Sequence, residues 1–110
     1  MSQEVTLLQN GSYRVMCNAN AAKIFDYFGI DQEPEANIIN GWVVLQLDKL
    51  PEKGDVFEAQ YGNKHMKVKV TKATARKAIE INLKIVISSI VMSMASRRPR
   101  NRNAISLYAD

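Results

Sequence analysis

The sequence predicts an α+β domain, a β-hairpin followed by two helices and an antiparallel three-stranded meander, with the helices packed on one face of the sheet. Three observations predict it. Residues 57–87 alternate apolar and polar side chains in three runs, the period of a strand with one buried face. Residues 18–50 instead repeat their apolar side chains at helical spacing. Asn10-Gly11 and Gly62-Asn63 stand where the chain must reverse. A length of 110 residues suits one domain with a real core, and 46% hydrophobic with 24% charged residues excludes a wholly disordered chain.

In the opening hairpin Val5 and Leu7 share a face, as do Tyr13, Val15 and Cys17. Asn10-Gly11 between them suits a type I′ turn, which needs positive φ at both central residues. Asn18 or Asn20 can cap the first helix, since a short amide accepts from a free first-turn N–H. Ala21, Ile24, Phe25 and Phe28 form its apolar stripe and Gly29 ends it. After the acidic connector 31–35, a second helix is expected over 36–49, with Ile38, Ile39, Trp42, Val43, Leu45 and Leu50 as a wide apolar face. Trp42-Val43-Val44-Leu45 alone could pass for a strand; the length of the segment favours a helix. Pro51 lies just past its end.

The meander follows. Phe57, Ala59 and Tyr61 alternate in its first strand; Met66, Val68 and Val70 in its second; Ile79, Ile81, Leu83, Ile85 and Ile87 in its third. Gly62-Asn63 is a two-residue turn, and residues 71–78 connect the last two strands. Beyond Ile87 an apolar, serine-containing run leads into Arg97, Arg98, Arg100 and Arg102. The twelve residues between Lys84 and Arg97 would span roughly 18 Å as a helix, short of a ~30 Å bilayer core, so no membrane span is expected.

The net charge of +4 sits mostly in that tail, because residues 1–96 carry eleven basic and ten acidic side chains. The arginine cluster admits three readings: a solvated, disordered end, a contact to anionic lipid, or non-specific binding to nucleic acid phosphates. No basic, aromatic-lined sheet face is evident, so no specific nucleic acid is expected. One cysteine closes no internal disulfide, and the polar start Met1-Ser2-Gln3-Glu4 is not a secretion signal.

Candidate chemistry is sparse. His65, the sole histidine, falls on the polar face of a strand and lacks His or Cys partners, which reads as a surface residue. Cys17 continues the inward alternation, which reads as a small core residue. Glu33 and Glu35 flank Pro34 as solvated carboxylates, with no acid pair in an apolar setting. No phosphate-cradling glycine loop is present. Lys72, Arg76 and Lys77 could meet an anionic ligand or an acidic partner surface. No catalytic residue and no metal site are expected.

Five segments in order carry a resemblance: Asn10-Gly11-Ser12-Tyr13-Arg14-Val15; Ile24-Phe25-Asp26-Tyr27-Phe28-Gly29-Ile30; Asn40-Gly41-Trp42-Val43-Val44-Leu45; Lys49-Leu50-Pro51-Glu52-Lys53-Gly54-Asp55; and Met66-Lys67-Val68 through Arg76-Lys77-Ala78-Ile79-Glu80. With Gly41, Pro51 and Gly54 as its frame, residues 4–86 resemble the CorC/HlyC transporter-associated domain. Cys17 stands where that family often has a glycine, and Asn20 where a proline commonly opens the helix. The resemblance implies a domain over 4–87 with an extension over 88–110. It implies a non-catalytic regulatory module of a magnesium or cobalt transport protein or haemolysin-like relative, on the cytoplasmic side of the membrane. Its partners would be the CBS and transmembrane domains of a parent protein, of which this chain would be a fragment, or a second copy of itself. The fold's likeness to FAD-binding domains of certain oxidases adds FAD or an adenine nucleotide as an alternative ligand; no cofactor is the first expectation.

Overall fold

The computed structural model describes residues 3–87; the extension over 88–110, with Arg97, Arg98, Arg100 and Arg102, lies outside the described residues. The elements are β1 (Val5–Leu7), β2 (Tyr13–Met16), α1 (Ala21–Tyr27), α2 (Ile39–Leu47), β3 (Val56–Tyr61), β4 (Lys64–Ala73) and β5 (Ala78–Ile87). The expected α+β class is found. The strand arrangement differs in one respect: hairpin and meander form a single antiparallel sheet in the order β1-β2-β5-β4-β3. The join is β2 against β5, with Val15 opposite Ile81 and Tyr13 opposite Leu83. Val15 and Ile81 are fully buried side by side. A two-stranded hairpin is marginal alone, and pairing with β5 gives it a core to cover.

The connections differ from expectation in two places. In the first hairpin only Gly11 has positive φ, at 87°. The Gly11 N–H donates to the Leu8 carbonyl at 3.0 Å and the Leu8 N–H to the Ser12 carbonyl at 2.8 Å. That is a turn followed by a left-handed glycine, not a type I′ pair. Ser12 fixes it: its hydroxyl donates to Asn10 Oδ1 at 2.6 Å and accepts from Asn82 Nδ2 at 2.9 Å, so a residue on β5 holds the loop. Between β4 and β5 the loop is residues 74–77, shorter than the expected 71–78, because Lys72 and Ala73 continue the ladder past an irregularity. Gly62-Asn63 does link β3 to β4, with Tyr61 opposite Lys64.

Asn20 is the cap of α1, its Oδ1 accepting from the Lys23 N–H at 2.9 Å. α2 is shorter than the expected 36–49. Residues before Ile39 are drawn into an extended crossing instead: the Ala21 N–H donates to the Asn37 carbonyl at 2.8 Å and the Ile39 N–H to the Ala19 carbonyl at 3.0 Å. The helix ends at Asp48, held left-handed at φ 57°. Both helices lie on one face of the sheet, as expected. Phe25 meets Trp42 edge-on at 5.6 Å and Tyr61 at 5.1 Å, and Trp42 meets Phe57 at 5.3 Å. Leu45 and Leu50, expected on the buried face, are each 56% exposed.

The Gly41, Pro51, Gly54 frame has a physical account. A Cβ on Gly41 would stand 3.1 Å from the Ala36 Cβ, so only glycine allows the connector to pack this close to α2. Pro51 is fully buried. Gly54 sits at φ +95° and donates its N–H to the Val70 carbonyl at 2.8 Å. Asp55 locks the same loop, accepting from Lys49 Nζ and from the Glu52 N–H, each at 2.8 Å. The Lys49 hydrogen bond is the main cause that holds the Asp55 carboxyl below its ordinary range.

Candidate functional site

With both helices on one face, no described residue outside the strands covers the other face of the sheet. The register places Lys67 directly opposite Lys84, with Glu58 on the far side of Lys67. Lys69 lies between Val56 and Asn82. Val56, Glu58, Lys67, Lys69, Asn82 and Lys84 line a shallow depression of about 400 Å³. Five cations, Arg14, Lys67, Lys69, Lys72 and Lys84, share this face with two carboxylates, Glu58 and Glu80. Both carboxylates are already engaged. Glu58 Oε1 lies 2.7 Å from His65 Nε2, while Gln60 Oε1 lies 2.9 Å from His65 Nδ1. Glu80 accepts from the Thr71 hydroxyl at 2.8 Å and pairs with Arg14 at 4.0 Å and Lys72 at 3.8 Å. Lys67, Lys69 and Lys84 make no ion pair among the described residues. Like charges directly opposite on neighbouring strands repel, so this arrangement costs stability.

Lys72, Arg76 and Lys77 lie in and beside the turn between β4 and β5, each in its own setting. Lys72 is on β4, tied to Glu80 on the outer face. Arg76 is exposed in the 74–77 loop. Lys77 lines a separate hollow of about 410 Å³ with Met16, Asn18, Ile38, Asn40 and Ile79. Asn40 closes its floor by accepting the Ala78 N–H at 2.8 Å.

His65 is on the polar face, as its alternation indicated, though held by two partners. Cys17 is fully buried. Burial first, then the charge of Glu80, pushes its thiol up to about 12. Sequence reasoning missed one interaction. Trp42 Nε1 donates to Tyr61 Oη at 2.9 Å, and Tyr61 Oη donates to Glu35 Oε1 at 3.0 Å. The connector is thus pinned to the end of β3 by a carboxylate that the sequence left solvated. Burial is the main cause that pushes the Tyr61 phenol above its ordinary range; the Trp42 N–H opposes this and Glu35 adds to it. Tyr61 and Glu35 are 26 residues apart, so no local pattern pairs them.

Residues 7–86 match the transporter associated domain family, CorC_HlyC. The chain belongs to that family. Solved structures agree with the fold of this transporter-associated domain. A domain of a putative hemolysin from Streptococcus mutans aligns with TM-score 0.66 at 16% identity, over 74% of this chain and 99% of that one. The transporter associated domain from a CBS domain protein of Porphyromonas gingivalis aligns with TM-score 0.61 at 22% identity, over 74% and 97%. The putative Mg2+ and Co2+ transporter (CorC) associated region of Neisseria meningitidis aligns with TM-score 0.63 at 21% identity, over 76% and 100%. No curated protein sequence matches.

Two bound groups can be tested against the residues of this transporter-associated domain. A Xylella fastidiosa domain of the family, 12% identical over 76% of this chain and 99% of that one with TM-score 0.62, was solved in complex with Mg++ and Mn++. Here, among the described residues, no three His, Cys, Asp or Glu side chains gather into one cluster. A flavin dinucleotide would meet one cation and no glycine in the lining of the Lys77 hollow. No helix among the described residues is long and apolar enough to cross a membrane.

Proposed function

We propose that this transporter-associated domain is a non-catalytic regulatory module of a CorC/haemolysin-like ion transport protein, acting on the cytoplasmic side of the membrane. Its folded unit is residues 4–87, and residues 88–110 are an extension. It works by packing against a neighbouring domain, shifting the balance between two states of the transporter through unequal affinity for them. The transported ion is a divalent cation of the magnesium or cobalt class, and the neighbouring domains are a CBS pair and a transmembrane unit.

The observation that carries this reading is the family match over residues 7–86, on a fold in which the described helices cover one face of the sheet and leave the other without cover among the described residues. The test is association. The chain should bind a CBS-pair region from the same transport protein, and titration to high micromolar concentration without binding would refute the docking role.

The Lys77 hollow favours a second reading, a sensor of an anionic ligand such as an adenine nucleotide, with Arg76 and Lys72 as the outlying cations. A ligand that binds only the folded state raises the melting temperature. No shift with millimolar ATP, AMP or FAD removes this alternative.

A further inference from the structure

We propose that the uncovered sheet face docks an acidic polypeptide segment of a partner protein through Lys67, Lys69 and Lys84. This deepens the regulatory reading and rests on it, since it names the surface by which the domain engages a neighbour.

The case begins with charge. Residues 1–96 are nearly neutral in total, yet the fold sorts the charges by side. The outer sheet face holds five cations against two carboxylates that are already engaged. The acidic connector 31–35 is tethered on the helix side by the Tyr61–Glu35 hydrogen bond. Three lysines therefore stand without an ion pair among the described residues in one depression, two of them directly opposed, with Glu58, opposite Lys67 and bonded to His65, as the carboxylate in its lining. An arriving carboxylate relieves that repulsion and gains the attraction.

Spacing and lining select a polypeptide. Lys67 and Lys69 are two residues apart on one strand, about 6.6–6.8 Å. Alternate side chains of an extended peptide repeat at the same distance, so an acidic segment can place successive carboxylates over successive lysines. Val56 and Val86, exposed at 65% and 47%, stand on the same outer face and offer apolar contact to such a segment. A phosphate group would instead want converging backbone N–H donors or a guanidinium fork. A sheet face aims no backbone N–H outward, and Arg14, the guanidinium on this face, is turned to Glu80. The chain's own end, with Arg97, Arg98, Arg100 and Arg102, has the wrong sign to occupy this face.

The experiment uses the full 110-residue chain and a fluorescein-labelled decapeptide of alternating Glu and Ala, read by fluorescence anisotropy. Binding should weaken as ionic strength rises, because exposed charges are screened. The double variant K67E/K84E should lose about tenfold in affinity, as several weak exposed pairs turn repulsive. The variant R97A/R98A/R100A/R102A should keep most of the binding. Resonances of β4 and β5 should shift on titration in the wild type. Should K67E/K84E fail to fold, K67Q/K84Q gives the same reading with a smaller loss. Binding that survives the lysine changes, or vanishes with the arginines, overturns the proposal. So does tighter lysine-dependent binding to phosphatidylglycerol vesicles or to a single-stranded oligonucleotide than to the peptide. If the CBS region binds and K67E/K84E binds it equally, the docking surface is wrong while the regulatory reading stands. If the CBS region does not bind at all, the regulatory reading itself fails.

Discussion

Replacing Tyr61 by Phe tests the hydrogen bonds that join α2, β3 and the acidic connector. The substitution keeps the ring, so the edge contact with Phe25 at 5.1 Å is retained and no large cavity opens. It deletes the acceptor of Trp42 Nε1. Trp42 is 0% exposed, so its N–H is left buried without a partner, a loss of about 1–3 kcal/mol. The hydrogen bond to the exposed Glu35 is lost as well, adding about 0.5–1 kcal/mol. The expected total is about 1.5–4 kcal/mol. For a domain this small, each 1 kcal/mol lowers the melting temperature by about 4–8 °C. The assay is urea unfolding followed by the fluorescence of Trp42, the only tryptophan. Glu35→Ala leaves the Trp42–Tyr61 bond in place and should cost about 1 kcal/mol or less. A Tyr61→Phe protein within about 0.5 kcal/mol of wild type would show that water reaches the indole, and would refute the reasoning.

Asn20→Ala removes the cap of α1 and should cost about 1 kcal/mol in the same unfolding assay, with Asn18→Ala near neutral. Ser12→Ala strands Asn82 Nδ2 beside a buried position, while Asn10 Oδ1 still accepts from the backbone N–H of residue 12, and should cost about 1 kcal/mol, read as a lower urea midpoint. Cys17 sets an alkaline limit. Its folded value of about 12 exceeds that of a free thiol, so its contribution is complete below the free value and is lost as pH rises toward 12. Stability should therefore fall between pH ~9 and ~12 by up to about 1.4 kcal/mol per unit, and Cys17→Ala should flatten that slope. The Tyr61 phenol, also raised, acts in the same direction above pH ~10. Thiol reagents should label Cys17 in native protein far more slowly than in urea, since the thiolate is the reactive form.

Local pattern carried much of the fold because its information is short-ranged. Period-two alternation from Phe57 onward specified β3, β4 and β5. The Ala21, Ile24, Phe25 stripe specified α1, and all three residues are buried. The inward placement of Cys17 and the outward placement of His65 followed from the same parity. Errors fell where a distant partner decided the outcome. α2 starts late because residues 37–39 bond back to residues 19–21, and the 74–77 loop is short because β4 continues its ladder. Glu35 looked solvated because Tyr61 reaches it only in the folded chain.

The sequence by itself determined the α+β class, the family, and which residues alternate into the core. Tertiary structure alone decided that β2 lies against β5, which makes five strands one sheet. It alone decided that a chain nearly neutral over 1–96 presents on one side lysines without ion pairs among the described residues. Hydrophobic period is written along the chain, whereas the pairing of charges depends on strand register, and register couples residues tens of positions apart.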